Sequence, residues 1–186
     1  MALLRRTVLL ALLALVPLVP AALLGQRAAS PEYQVKAAFL YNFTKFVEWL
    51  DARPGERSPL RLCVLGNDPF GETLDGIVFG EMVGSRPLLP ERVDAGEPLN
   101  SLRSCQVLFV SRSERARVRE VLESLAETPV LTVSDLQGFL DAGGHIQFVM
   151  QGNKVRFAID QAAAERSRLR ISSKLLRLAL SPSEVR

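Results

Sequence analysis

The sequence predicts an α/β fold: a single domain with a mostly parallel sheet covered by helices on both faces, finished by a C-terminal β-hairpin and a helix. Three observations predict it. Short continuous apolar runs, Leu60 to Leu65, Val107 to Ser111 and Val130 to Ser134, read as strands buried on both faces. Helix-like segments separate them, and strand alternating with helix is the pattern of a parallel sheet. The last third departs from that pattern. Ile146 to Met150 and Val155 to Ile159 flank Gln151-Gly152-Asn153-Lys154, whose Gly-Asn step suits a hairpin turn.

Residues 1–29 read as an address rather than as part of the fold. Arg5 and Arg6 precede an uncharged run of Leu, Ala and Val from Thr7 to Leu24, broken by Pro17 and Pro20. This is the layout of a secretory signal peptide, with cleavage expected between Ala21 and Ser30. A retained membrane anchor competes with it, because eighteen apolar residues can just span a bilayer; the two prolines weigh against that. No cysteine lies nearby for lipoprotein processing. The mature domain is expected over residues 31–182, exported from the cytoplasm.

Within that domain, Ser30-Pro31-Glu32 predicts a helix start: an N-cap serine, a proline at the first turn and an early acid. Val35, Phe39, Phe43, Phe46 and Trp49 or Leu50 recur every three or four residues, and Lys36, Asn42, Lys45 and Glu48 fall on other faces. Arg53-Pro54-Gly55 should end the helix. After the strand Leu60 to Leu65 come a short helix over Glu72 to Val78, a strand near Pro87 to Val93, a strand over Val107 to Ser111 and a basic helix from Ser113 to Glu127. A strand over Val130 to Ser134 and the hairpin follow. Gln161 to Arg168 and Ser172 to Leu180 look helical, with Ser181-Pro182 as a stop.

Composition excludes several functions. The chain of 186 residues is 48% hydrophobic and 23% charged, ordinary for a globular domain. Its formal +3 comes from Arg5, Arg6 and Arg27; without these three the basic residues equal the 20 acidic ones. A neutral domain lacks the field that draws a protein to phosphate backbones, so no nucleic acid is expected. One histidine and two cysteines cannot assemble a zinc set, and no cofactor loop is present. In an oxidising compartment Cys63 and Cys105 can form one bridge, with two buried thiols as the alternative. Their runs would be neighbouring strands, and closing that loop should restrain the unfolded chain by about 3 to 4 kcal/mol.

The candidate sites each have a plain structural alternative. Gly66-Asn67-Asp68-Pro69-Phe70-Gly71 follows the first strand of the sheet and precedes a helix, where open parallel sheets bind ligands. Asn67 and Asp68, with Ser111, Arg112 and Ser113 after a central strand, are the candidate ligand residues; tight turns and helix caps are the alternatives. His145 beside Gly143-Gly144 has no serine or acid patterned around it and reads as a turn or surface residue rather than a general base. Asp135 and Asp141 read as caps. Arg112, Arg115, Arg117 and Arg119 are interleaved with Glu114, Glu120 and Glu123, as on a solvated helix. No catalytic residue is assigned, and the protein is not expected to be an enzyme.

Tyr33-Gln34-Val35-Lys36-Ala37-Ala38-Phe39-Leu40-Tyr41-Asn42-Phe43-Thr44-Lys45-Phe46-Val47-Glu48-Trp49 resembles the opening signature of the YfiR family of periplasmic regulators. Further blocks agree in order: Leu62-Cys63-Val64-Leu65-Gly66 with Asp68-Pro69-Phe70-Gly71, Cys105 to Ser111, and Val130 to Asp135 with Gly138-Phe139. Gly143-Gly144, Gly152 to Phe157 and Ile171 to Ala179 complete the likeness, which runs over about residues 32 to 180.

The resemblance implies a small α/β domain, often dimeric, that acts without catalysis and without a cofactor. It implies binding to the periplasmic region of an inner-membrane diguanylate cyclase, which holds down cyclic-di-GMP and with it biofilm formation, and an outer-membrane lipoprotein as a possible sequestering partner. Cys63 and Cys105 match a pair that some members use as a disulfide. A second pair carried by other members is missing, so redox switching assigned to it does not transfer. A partner face needs an apolar centre. The hairpin and C-terminal helix are the expected place, with Phe148, Phe157, Ile171, Lys174 and Leu175 as candidates; core packing for the apolar four and a solvated lysine for Lys174 are the alternatives. The alternative function is a small-ligand receptor module feeding a sensor kinase or uptake system through the Asn67 and Ser111 loops.

Overall fold

The computed structural model describes residues 29–51 and 57–185. The leader, apart from Ala29, and the expected helix stop at Arg53-Pro54-Gly55 lie outside the described residues. Helix α1 (Pro31–Phe46) begins with Ser30 as N-cap and Pro31 at the first turn, as the sequence predicts. It is shorter than expected: β-branched Val47 leaves the helix, and β1 (Val47–Trp49) pairs antiparallel with β9 (Leu169–Ile171). That pairing joins residues more than a hundred positions apart, so no local pattern announces it.

The main sheet comprises β2 (Leu60–Leu65), β3 (Met82–Val83), β4 (Arg86–Val93), β5 (Val107–Val110), β6 (Leu131–Ser134), β7 (Ile146–Gln151) and β8 (Lys154–Ile159). Their order is β3-β4-β2-β5-β6-β7-β8. Strands β4, β2, β5, β6 and β7 are parallel, while β3 and β8 run antiparallel at the edges. This is a mixed α/β single domain with a mostly parallel sheet. Because the chain winds from β2 to β4 on one side and then returns to β5 on the other, winding reverses between β2 and β5.

Alternate residues of β2 and β5 enter two separate cores, as a period of two requires. Leu60, Leu62 and Val64 join Ala37, Leu40 and Phe43 of α1, Leu74 and Val78 of α2 (Glu72–Val78), and Leu175 of α5 (Ser173–Leu176). Cys63 and Leu65 join Leu102, Val121, Leu122 and Phe139, the second and third of these from α3 (Val118–Ser124). In the first core Phe39 and Phe43 of α1 meet Phe157 of β8 at ring separations of 5.3 and 5.2 Å.

Four predicted elements are corrected. The helix expected over Ser113 to Glu127 is a 3-10 segment, Arg112–Arg117, followed by the short α3. Side chains hold the 3-10 segment: Ser113 Oγ donates to Glu114 Oε1 at 2.8 Å and Arg117 Nε to Glu114 Oε2 at 2.6 Å. The C-terminal helix is a single turn, α5, because Leu180 N donates to Phe157 O at 2.8 Å and Leu180 bridges Ala158, drawing the chain onto the edge of β8. The buried face of α1 is rotated from the expected stripe: Lys36 is 1% exposed and Val35 is 45% exposed. Helix α4 (Gln161–Arg166) ends two residues early, its N-cap Asp160 accepting from Ala163 N.

Candidate functional site

The two loops expected to hold a ligand meet where the winding reverses, and their polar atoms pair with each other. Asn67 N donates to Ser113 Oγ at 3.0 Å, and Ser111 Oγ donates to Asn67 O at 2.7 Å. Asp68 accepts from Phe70 N through one oxygen and from Arg92 Nε through the other, while Arg92 also takes Asp75 in a two-bond fork at 2.6 and 2.7 Å. Gly66, at φ +84°, leaves no room for a side chain: a Cβ there would lie 2.3 Å from both Glu114 Oε1 and Ser113 Oγ. Of the five residues, Arg112 alone turns away from this knot.

Arg112 faces a cluster at the carboxyl ends of β5 and β6. Asp135, the first residue after β6, is at its centre. Its Oδ2 accepts from Lys36 Nζ at 2.5 Å and Tyr33 Oη at 2.8 Å, and lies 3.1 Å from Arg112 Nη2. Lys36 also pairs with Glu32, one helical turn earlier. Burial alone would raise the Asp135 carboxyl, but the hydrogen bond and charge of Lys36, with Tyr33 and Arg112, outweigh it and hold the group below the usual carboxylate range. Burial, then the Asp135 contact, pushes the Tyr33 hydroxyl up. The other carboxylate oxygen, Oδ1, is buried with no hydrogen-bond partner among the described residues.

Sequence reasoning missed this cluster. Asp135 reads as a cap and Lys36 falls off the apolar stripe of the helix; the only local signal was the Glu32–Lys36 spacing of four. A groove of about 380 Å3 opens beside it, lined by Arg112, Asp135, Gln137, Gln147, Met150 and Val185 among others.

His145 is buried rather than at a surface turn. Its Nδ1 accepts from Thr132 N at 3.1 Å, so Nε2 carries the proton toward Ser167 Oγ, 3.1 Å away. In that arrangement the imidazole cannot take the proton of Ser167, so the pair is not poised as nucleophile and base. Burial, reinforced by Arg166 and opposed by Asp160, lowers the imidazole to about 4.

Of the residues expected at a partner face, Phe148, Phe157, Ile171 and Leu175 are packed in the first core and present little surface; Lys174 is exposed. Their apolarity serves the sheet and α1. Leu178, two residues beyond α5, is 61% exposed. Cys63 and Cys105 form a disulfide with Cα atoms 5.9 Å apart, inside the second core. No helix among the described residues is long and apolar enough to cross a membrane.

Fold and site together define a mixed α/β domain of doubly wound strand order, with a buried charged cluster at the carboxyl ends of β5 and β6. The chain belongs to the YfiR/HmsC-like family, whose model matches residues 33–180. Among solved structures it is similar to a conserved domain protein from Vibrio cholerae O1 biovar El Tor, at 11% identity and a TM-score of 0.49. That match covers 83% of this chain and 60% of the other, so it spans less than two thirds of that protein.

Proposed function

We propose that this chain is an exported, non-catalytic repressor that binds the periplasmic region of an inner-membrane diguanylate cyclase and lowers cyclic-di-GMP, and with it biofilm formation. The observation that carries the reading is membership of the YfiR/HmsC-like family over nearly the whole described domain. The family is one of periplasmic regulators of cyclic-di-GMP signalling. Two structural features support a binding role: the loops at the winding reversal are closed on each other, and His145 is held in the tautomer that cannot activate Ser167.

Repression requires tighter binding to the inactive state of the cyclase than to the active one. The contact face is the exposed side of the C-terminal turn, with Lys174 and Leu178 presented on a backing of Ile171 and Leu175. The repressor is a homodimer, and an outer-membrane lipoprotein competes for it. Capture of the tagged protein from detergent-solubilised membranes, followed by mass spectrometry, tests the reading: a diguanylate cyclase should be recovered by the native protein and lost with Lys174→Glu and Leu178→Asp together. Recovery of a sensor kinase or a transporter in its place would overturn it.

A further inference from the structure

We propose that the edge of β7 between Phe148 and Gln151 binds an extended segment of a partner protein, which adds to the sheet as a strand in the lane that β6 leaves empty. This surface is separate from the Lys174 and Leu178 turn, and the proposal stands without the repressor reading.

Register is the first argument. Every residue of β7 from Ile146 to Gln151 is matched to β8, yet its pairing to β6 ends at Ser134 and Gln147. The chain leaves the sheet at that point: Asp135 is drawn to Lys36 and Arg112, and Leu136 N turns to Ser134 Oγ at 3.1 Å. Which backbone groups are left stranded follows from the alternation of an antiparallel pair. Asp160 N donates to His145 O at 2.9 Å, so His145 faces β8, and with it Gln147, Val149 and Gln151; Phe148 and Met150 face the empty lane. The residue opposite Phe148 has the same phase, since Phe157 O is turned outward to Leu180 N. The carbonyl of Phe148 and both backbone groups of Met150 therefore have no partner among the described residues.

Access is the second argument. Gln147, Phe148, Val149 and Met150 all line one groove of about 380 Å3. Successive side chains of a strand point to opposite faces, so four consecutive residues share one groove only along their common backbone edge. Met150, at the open end, is 43% exposed.

The other edges of the sheet are guarded. Strand β4 carries Pro87 and Pro90 and is paired with β3 at one end, while β8 carries Lys154 and Arg156 and is bridged by Leu180 at Ala158. Phe148 to Gln151 has neither proline nor charge. An uncharged strand edge with unpaired N–H and C=O groups takes another strand, its main chain giving affinity and alternate side chains selectivity. Phe148 points into the core beneath α1, and Met150, two residues on, lies on the same face. Every second residue of the added segment lies beside Met150 on that face and is apolar.

Nuclear magnetic resonance of the isotope-labelled mature protein with an acetylated, amidated heptapeptide of alternating threonine and valine tests the proposal. In the free protein the Met150 amide should exchange with solvent at least about tenfold faster than that of Val149, which is held by β8. The peptide should bind at one per chain and slow Met150 exchange at least about tenfold. N-methylation of the alternate peptide residues whose amides face β7 should weaken binding at least about tenfold, and methylation of the other set should leave it unchanged. Met150→Pro removes the outward N–H without removing a rung to β8 and should weaken binding to the same degree; if it disturbs folding, the two methylated peptides carry the same test. A Met150 amide as protected as Val149 in the peptide-free protein, whether by the chain's own tail or by a second copy, would overturn the proposal. So would no saturable binding up to about 10 mM, or equal affinity for the two methylated peptides.

Discussion

Lys36 Nζ lies 2.5 Å from Asp135 Oδ2, with neither side chain more than 2% exposed. The pair binds the first helix of the domain to the end of β6 across 99 positions of sequence. Taking two charges out of water is costly, and the hydrogen bond from Tyr33 with the charge of Arg112 beside it makes the burial tolerable. Removing one partner leaves the other buried and uncompensated. Lys36→Met or Asp135→Leu alone should each destabilise by about 3 to 5 kcal/mol, and the double variant should lose clearly less than their sum. Urea unfolding of the four proteins measures this; additive losses would mean that the two groups do not act as a pair.

Acid should weaken the fold in two windows. His145 is neutral in the folded state down to about 4, while in the unfolded chain it takes up a proton near 6.5. Stability attributable to it is therefore full above pH 6.5, falls between 6.5 and 4, and levels off below; the drop totals about 3 kcal/mol. Asp135 is displaced in the same direction, lowered from 3.8, so its contribution is present above 3.8 and is lost as pH falls through its lower folded value. His145→Gln should flatten the first window and leave the second. Chemical unfolding at a series of pH values tests it, and an unchanged slope between 6.5 and 4 in His145→Gln would count against the assignment.

The disulfide should behave as a structural one. Cys63 is 0% and Cys105 2% exposed, and the bridge closes a separation of 42 residues. Replacing both by Ala should cost about 4 kcal/mol. In native conditions a thiol reductant should act only as fast as the domain unfolds, since no sulfur is presented to an attacking thiolate. Thiol labelling after timed reduction, compared with the unfolding rate, measures this; reduction much faster than unfolding would assign the bridge to redox switching.

Gly66→Ala should destabilise by about 2 kcal/mol or more, because it combines a side chain at positive φ with a clash into Glu114 and Ser113. A melting temperature equal to that of the native protein would show that the loops after β2 and β5 are not held as described.

The parts of the fold that are legible in the sequence are those set by short-range patterns. Leu60 to Leu65 carries its own period and its own bounding turns, so the strand matches residue for residue, as does the helix Glu72–Val78. Gly152, at φ +57°, turns between β7 and β8, where the Gly-Asn step lies. What escaped the reading depends on distant partners. Val47 to Trp49 leave α1 for β9, and Leu180 leaves the C-terminal helix for Phe157. Lys36 shows the same effect at the site. The sequence places it off the apolar stripe of the helix, and only the fold brings Asp135 to it. Phe148 and Phe157 mislead in the other direction, since apolarity alone does not separate a partner face from the aromatic packing beneath α1.

The central claim, repression of a diguanylate cyclase, is tested most directly by the intracellular cyclic-di-GMP level in a strain lacking this chain, with the neighbouring genes intact. The level should rise on deletion, return with the native protein, and stay high with the Lys174→Glu, Leu178→Asp variant. A level that does not change on deletion would contradict the account.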